Sequence, residues 1–255
     1  MTSFSWFVLI LILLATAKYT LGPVLVRFKS SAAVNPTFNQ YSDEEARNFL
    51  PPNFFGIIRE LEALGFSPVC HLSSATMTKR VHSLLTLLVN RSSQTLAMIG
   101  FIRTVTPNAP LAINYLEFHS DFEDGSQLDT NNASSVRIFY DVPGKFQMRI
   151  PHLKDPNALY QVHLYLMNQR NSAAVLPEPG KEVERFIDSV RQSLADQATL
   201  GFYVLDETKQ RYRHTWRSAF RGVYRLLWPM KQIRLRSQER EGRRVATEAV
   251  MARGT

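Results

Sequence analysis

Four side chains capable of acid–base or metal-binding chemistry alternate along one stretch of the chain. They are Glu117, His119, Asp121 and Glu123. Because successive side chains of a strand point to opposite faces, a strand here would place all four on one face of a sheet. Carboxylates and an imidazole can bind a divalent metal ion or transfer protons. The pattern therefore offers Glu117, His119 and Asp121 as candidate catalytic residues of a metal- or acid-dependent hydrolase.

The bland alternative is that these residues form the solvated face of an antiparallel sheet, where charged side chains are ordinary. No other motif in the sequence points to a metal or to a particular cofactor. Cys70 is the only cysteine, so an intramolecular disulfide is excluded.

Apolar runs predict the strands beside this one. Residues 83–90 and 95–105 are apolar on both faces and flank a polar four-residue turn, so they are typical of central strands. Asp124-Gly125 predicts a second hairpin, with a return strand over residues 128–131. An antiparallel meander is therefore expected around the candidate residues.

Helical spacing of apolar residues predicts the layer that covers this sheet. The sequence favours helices over residues 54–64, 156–166, 183–194 and 215–227. Alternation over residues 136–142 favours one more strand. The predicted fold class is α+β, with an N-terminal transmembrane helix, a mostly antiparallel β-sheet covered by helices, and a basic amphipathic C-terminal helix.

The first residues are the most apolar of the chain. Residues 3–17 carry no charge and include a long run of Phe, Val, Leu and Ile. Lys18 can extend its ammonium to a membrane interface, and Tyr19 suits the same zone. A transmembrane anchor over residues 1–22, closed by Pro23, is therefore predicted.

The charges that follow this segment predict its orientation. Lys18, Arg27 and Lys29 all come after the apolar run, which favours a single-pass protein of the inner membrane with its body in the cytoplasm. The alternative is a secretory signal, because residues 15–17 (Ala-Thr-Ala) fit a cleavage site and would give an exported protein cut near Ala17.

Positive charge is concentrated near the C-terminus. The net charge is +8, yet residues 209–244 alone hold twelve Lys and Arg against two acids. Helical spacing places aromatic side chains on one face, with arginines beside them; these residues are Trp216, Phe220, Tyr224, Trp228, Arg217, Arg221, Arg225 and Lys231. Such a surface favours contact with anionic lipid or with a protein partner, and nucleic acid is disfavoured.

Several segments together resemble a known set of sequences. They are LEALGF at 61–66, LLVNR at 87–91, YLEFHSDFEDG at 115–125, TNN at 130–132, DPNALYQVH at 155–163, and YRHTW and RLLWP within 212–229. They resemble uncharacterised bacterial proteins with one N-terminal membrane span and a basic tail. The resemblance implies an anchored domain, and it implies no activity and no catalytic residue.

These features predict five segments: a transmembrane anchor (1–22), a juxtamembrane linker with a short helix (23–50), an α+β domain (51–208), a basic amphipathic arm (209–236) and a flexible tail (237–255). The expected function is a non-catalytic interaction or accessory module on the cytoplasmic face of a bacterial membrane. Two alternatives stay open, the hydrolase described above and a lipid or apolar-ligand binding domain, which the excess of apolar strand surface suggests.

Overall fold

The structure is a computed structural model that describes residues 3–74, 81–104 and 112–253. Its helices are α1 (Ser3–Lys29), α2 (Asp43–Phe49), α3 (Pro52–Ala63), α4 (Pro156–Asn168), α5 (Glu182–Thr199), α6 (Trp216–Leu226) and α7 (Met230–Met251). Its strands are β1 (Ser31–Ala33), β2 (Phe38–Tyr41), β3 (Ser67–Ser74), β4 (Val81–Asn90), β5 (Thr95–Thr104), β6 (Ala112–Phe122), β7 (Gln127–Asn131), β8 (Lys145–Arg149), β9 (Ala174–Val175), β10 (Tyr203–Asp206) and β11 (Arg211–His214).

The chain forms two compact units. Unit 1 comprises Met1–Asn35, Val136–Asp141 and Val190–Leu235, and unit 2 comprises Pro36–Ser135, Val142–Ser189 and Arg236–Thr255. Helices α5 and α7 each have residues in both units.

Unit 2 is built on a sheet with the strand order β2-β3-β4-β5-β6-β7-β8, and β9 adds to β6. Every neighbouring pair is antiparallel except β7 and β8, which run parallel. Helices α2, α3 and α4 contribute to the core on one face, where the fully buried side chains include Phe54, Leu61, Leu88, Phe118 and Leu159. The predicted α+β class, with a mostly antiparallel sheet covered by helices, is confirmed.

Local sequence signals explain how this sheet and its helices begin and end. Ser42 and Glu45 form a capping box at α2, since the Ser42 N–H donates to the Glu45 carboxylate at 2.8 Å. Gly65 ends the α3 region with a φ of +87°, a conformation that favours glycine. Gly100 is required for another reason, because a Cβ there would lie 2.2 Å from the Tyr115 ring.

Unit 1 surrounds an aromatic core. Its sheet has the order β1-β11-β10, all antiparallel. Phe202 is completely buried, and its ring centroid lies 5.1 Å from that of Phe139 and 5.2 Å from those of Tyr140 and His214. The Gln197 side chain accepts from the Tyr140 N–H and donates to the Tyr140 carbonyl, both at 2.9 Å. A side-chain amide therefore holds the 136–141 segment.

The predicted N-terminal anchor is wrong. Among the described residues, no helix is both long enough and apolar enough to cross a membrane. Helix α1 does not stop near residue 22 but continues through Pro23 to Lys29, and its second half packs against α6 and β11. A Cβ at Gly22 would lie only 3.0 Å from a Val223 methyl group. The same finding corrects two other predictions, the transmembrane helix in the fold class and the single-pass location in the inner membrane.

Three further segments differ from the sequence-based expectations. Residues 136–142 form no strand, and the strand in this region is β8, at residues 145–149. The segment expected to be a juxtamembrane linker holds the end of α1 together with β1 and β2. Residues expected to form a flexible tail continue α7 to Met251, and Gly242 lets that helix approach the backbone of Arg149 and Ile150.

Candidate functional site

The predicted candidate residues do share one face of unit 2. Strand β6 pairs with β7 so that Glu117 lies opposite Asn131, His119 opposite Asp129, and Asp121 opposite Gln127. Arg185 reaches the same group from α5. We call these seven residues the His119 cluster: Glu117, His119, Asp121, Gln127, Asp129, Asn131 and Arg185.

His119 stands between two carboxylates. Its Nδ1 lies 2.7 Å from Asp129 Oδ1 and its Nε2 lies 3.3 Å from Asp121 Oδ1. Burial by itself would lower the pKa of His119, but the hydrogen bonds to the two aspartates outweigh burial and raise the pKa to about 10. The ring is therefore an imidazolium at neutral pH, with both N–H groups donating.

Asp121 receives donors from three elements. Arg185 donates from Nε at 2.9 Å and from Nη2 at 2.8 Å, and Gln127 donates from its amide at 2.7 Å. Burial opposes the charge of this carboxylate, but the hydrogen bonds from His119, Arg185 and Gln127 prevail and lower the pKa of Asp121 below its ordinary range. Asp121 is thus held ionised.

Glu117 differs from Asp121 although it lies on the same strand face. Its carboxylate accepts one hydrogen bond, from the Asn131 amide at 2.7 Å. Burial and the neighbouring charge of Asp129 raise the pKa of Glu117 to about 7, against opposing contributions from His119 and Asn131. Glu117 is therefore the member of the cluster that can exchange a proton near neutral pH.

The geometry restricts what the His119 cluster can do. Because both ring nitrogens of His119 donate to carboxylates, the ring has no free lone pair with which to accept a proton or ligate a metal. Within the part of the chain that the structure describes, no group of three or more His, Cys, Asp or Glu side chains is arranged to hold a metal ion. The arrangement is that of a satisfied ion network.

Sequence reasoning placed some members of this cluster and missed others. Glu123 follows the end of β6, where its side chain is exposed, and it lies outside the cluster. Alternation over residues 127–131 could have indicated the three β7 members, once the Asp124-Gly125 turn fixed the pairing. No local signal marks Arg185, which is 64 residues from Asp121 along the chain.

A second histidine lies against the opposite face of the same two strands. His163 of α4 is completely buried, with Nε2 at 3.1 Å from Ser120 Oγ and Nδ1 at 3.0 Å from Thr130 Oγ1. Burial, together with the positive charge of His119, lowers the pKa of His163 to about 3. This histidine is neutral, and it exchanges hydrogen bonds with hydroxyl groups.

The aromatic residues predicted for partner or lipid contact lie on the surface of unit 1. Trp216, Phe220 and Tyr224 are 47%, 52% and 52% exposed, and we call these three the aromatic face of α6. The opposite side of the helix is buried through small residues, Ser218, Ala219 and Gly222. Further along the chain, Trp228 and Lys231 are exposed too.

The arginines beside the aromatic face are used partly within unit 1. The guanidinium of Arg221 lies 4.5 Å from the Tyr140 ring centroid, and that of Arg217 lies 5.7 Å from it. Arg225 donates to the Arg137 carbonyl at 2.9 Å. Arg221 and Arg225 are half-buried, whereas Arg217 is exposed. Lys231 and Arg217 are therefore the predicted basic contact residues with the freest access to solvent.

A scan of protein-family models, a search of curated proteins and a search of solved structures each found no match to this chain. The resemblance to single-span bacterial proteins with a basic tail stays a prediction.

Proposed function

We propose that this chain is a non-catalytic interaction module that docks a protein segment carrying both apolar and acidic side chains. The observation that carries this proposal is the aromatic face of α6, which leaves three large rings half exposed on a helix whose other side is buried. Aromatic side chains with arginine beside them are the residues that most often anchor protein interfaces.

The surface around the aromatic face extends its apolar area. Phe28 of α1 is 62% exposed and meets Trp216 edge to face, with ring centroids 5.9 Å apart. A groove of about 440 Å³ lies next to it, lined by Tyr19, Phe220, Arg221, Val223 and Tyr224. Contiguous exposed apolar surface of this kind marks interaction sites, and the groove offers room for an apolar side chain of a partner.

The charge of unit 1 favours an acidic partner. Its residues include thirteen Lys and Arg against four Asp and Glu, which gives a net charge of +9. Arg217 and Lys231 are both exposed. In the sequence they lie close to the residues of the aromatic face. Carboxylates on a partner would be steered to this surface, while a basic partner would be repelled.

The state of the His119 cluster supports a non-catalytic role. Of the three residues predicted for a hydrolase on this strand face, His119 and Asp121 are held in ion pairs, which leaves Glu117 as the one able to exchange a proton near neutral pH. The hydrolase and the apolar-ligand binding domain stay predictions that no observation here favours.

Peptide binding tests the proposal directly. A fluorescent amphipathic helix of leucine and glutamate is titrated with the full-length protein, beside the same peptide with lysine in place of glutamate. We expect the acidic peptide to bind and the basic peptide not to bind. The double variant Phe220→Ser, Tyr224→Ser should weaken binding by about thirtyfold or more, as for interface anchors.

The matched control is Val204→Ser, Leu205→Ser, which removes two exposed apolar side chains of β10 in the same unit. It should leave peptide affinity unchanged. Equal binding of both peptides, or equal loss in both double variants, would contradict the proposal. So would a homodimer that the Phe220 and Tyr224 changes dissociate, or uptake by anionic phosphatidylglycerol vesicles through these side chains in place of peptide binding.

A further inference from the structure

A cleft in unit 2 shares no residue with the His119 cluster. Its volume is about 570 Å³, and it is open to solvent. Two turns and the end of α4 form it, and its lining includes Asp124, Ser126, Gly144, Phe146 and Arg170. This size is within the range of about 300–1,000 Å³ that is typical of small-molecule sites.

Arg170 lines this cleft, and among the residues that the structure describes it forms no ion pair. Its guanidinium carbon lies 3.7 Å from the centroid of the Phe146 ring, so the planar group is stacked on an aromatic side chain. Its Nε is buried, and no hydrogen-bond acceptor for it lies among the described residues. Stacking already orders the guanidinium before a ligand binds. Pairing with a ligand therefore costs little further side-chain entropy.

Asp124 brings the opposite charge to the same cleft. It is exposed, and its carboxylate accepts the Ser126 N–H at 2.9 Å within the hairpin turn. Hydrogen bonds from Ser126 lower the pKa of Asp124, so it is ionised at neutral pH. Within the described residues, no ion pair joins Asp124 to Arg170.

We propose that this cleft binds a small zwitterion with a carboxylate and an ammonium group, of which a free α-amino acid is the simplest kind. The ligand carboxylate would accept from the guanidinium of Arg170, whose planar fork of N–H donors matches a carboxylate. The ligand ammonium would pair with Asp124, which also disfavours ligands that are only anionic. Gln169 and Asn171 line the remaining space and can donate to or accept from polar ligand groups.

Binding is measured on the full-length protein by the movement of the backbone amide NMR signals of Gly125 and Gly144, both of which line the cleft. The probes are the common L-amino acids one at a time, then the best of them beside its carboxylate-only and amine-only analogues, and inorganic phosphate. We expect at least one amino acid to bind, with each half-analogue and phosphate weaker by about tenfold or more.

Two variants separate the charges. Arg170→Gln should weaken amino acid binding by about tenfold or more, and so should Asp124→Asn, which keeps an oxygen to accept the Ser126 N–H. Asp124→Asn should not weaken binding of the carboxylate-only analogue. The control is Arg59→Gln, which changes an exposed arginine of α3 in the same unit and should leave every affinity unchanged. Arg170→Lys keeps the charge but loses the planar fork, and it should also bind weakly while the melting temperature stays near that of the parent.

Three results would overturn the proposal. The first is no movement of the Gly125 and Gly144 signals with any amino acid at millimolar concentration. The second is unchanged affinity in both Arg170 variants. The third is phosphate binding that equals amino acid binding and ignores Asp124→Asn, which would make the cleft a simple anion site.

Discussion

His119 and His163 lie on opposite faces of the same pair of strands, β6 and β7, and they are held in opposite charge states. His119 contacts Asp121 and Asp129, and its pKa is raised to about 10. His163 contacts Ser120 and Thr130, and its pKa is lowered to about 3. Burial acts against the charge of both rings.

The difference shows that the hydrogen-bond partners decide the charge, and burial alone does not. Two carboxylates repay the cost of removing an imidazolium from water, whereas two hydroxyls do not. Because the side chains of β6 alternate, neighbouring positions such as His119 and Ser120 belong to environments of opposite polarity. One strand therefore supports a charged network on one face and the helix-covered core on the other.

Removal of Asp121 should break this comparison with the largest effect. Asp121→Ala leaves His119 with one carboxylate and leaves Arg185 without its partner, so we expect a loss of about 3–5 kcal/mol in the free energy of unfolding. Urea denaturation at pH 7 measures it. Glu123→Ala is the control, since it removes an exposed carboxylate just beyond the same strand, and its effect should stay within about 0.5 kcal/mol. Equal effects of the two changes would show that the cluster is a solvated face that adds little to the free energy of unfolding.

The pH dependence of stability should sharpen the comparison, because the two histidines act in opposite directions. The pKa of His119 is raised in the folded state, so its contribution is complete below about pH 6.5 and is lost as the pH rises towards 10. The pKa of His163 is lowered, so its contribution is complete above about pH 6.5 and is lost as the pH falls towards 3. Each limb should have a slope of up to about 1.4 kcal/mol per pH unit.

Variants measure how much of each limb belongs to each ring. His119→Gln should reduce the slope above about pH 8, where Glu117 has finished titrating, although Cys70, whose pKa burial raises to about 11, keeps part of it. His163→Leu should reduce the slope of the acid limb, part of which remains because burial also lowers the pKa of His71, His152 and His214. Urea midpoints from pH 3 to 10 measure both. Glu117, Asp121, Asp129 and Arg185 surround His119, and because the pKa of Glu117 is about 7, only the part of the alkaline limb above about pH 8 is attributed to His119. A parent profile that is flat from pH 6.5 to 10 would contradict the raised pKa of His119.

Local periodicity explains why part of this site could be predicted from sequence. Alternation places Glu117, His119 and Asp121 on one strand face, whatever the strand packs against, and the Asp124-Gly125 turn brings β7 beside it. The contribution of Arg185 depends on how its part of α5 packs on the sheet. Nothing in the sequence around Asp121 or Arg185 predicts that packing. The charge states of these side chains depend on their hydrogen-bond partners, which the sequence alone does not identify.

Alternation and hydrophobicity mispredict the structure of a segment whose packing partner is distant in the sequence. Residues 136–142 alternate like a strand, but the backbone of Tyr140 is hydrogen-bonded by the Gln197 side chain and joins no ladder. The apolar N-terminal residues predict a membrane anchor, because composition alone does not distinguish a helix in lipid from a helix packed against protein. The second half of that helix in fact lies against α6.

Substitution of Glu117 should have the smallest effect on stability, and the sign of that effect is what discriminates. Because the pKa of Glu117 is raised to about 7, ionisation is less favourable in the folded state, and stability should fall as the pH rises from about 4.5 to 7. Glu117→Gln keeps an oxygen to accept from Asn131 and removes the ionisation. We therefore expect almost no change at pH 4 and a gain of at least about 1 kcal/mol at pH 8 in the free energy of unfolding, measured by urea denaturation. A loss at pH 8 would mean that the attraction between the Glu117 carboxylate and His119 outweighs burial, and the charged network would then include all three carboxylates.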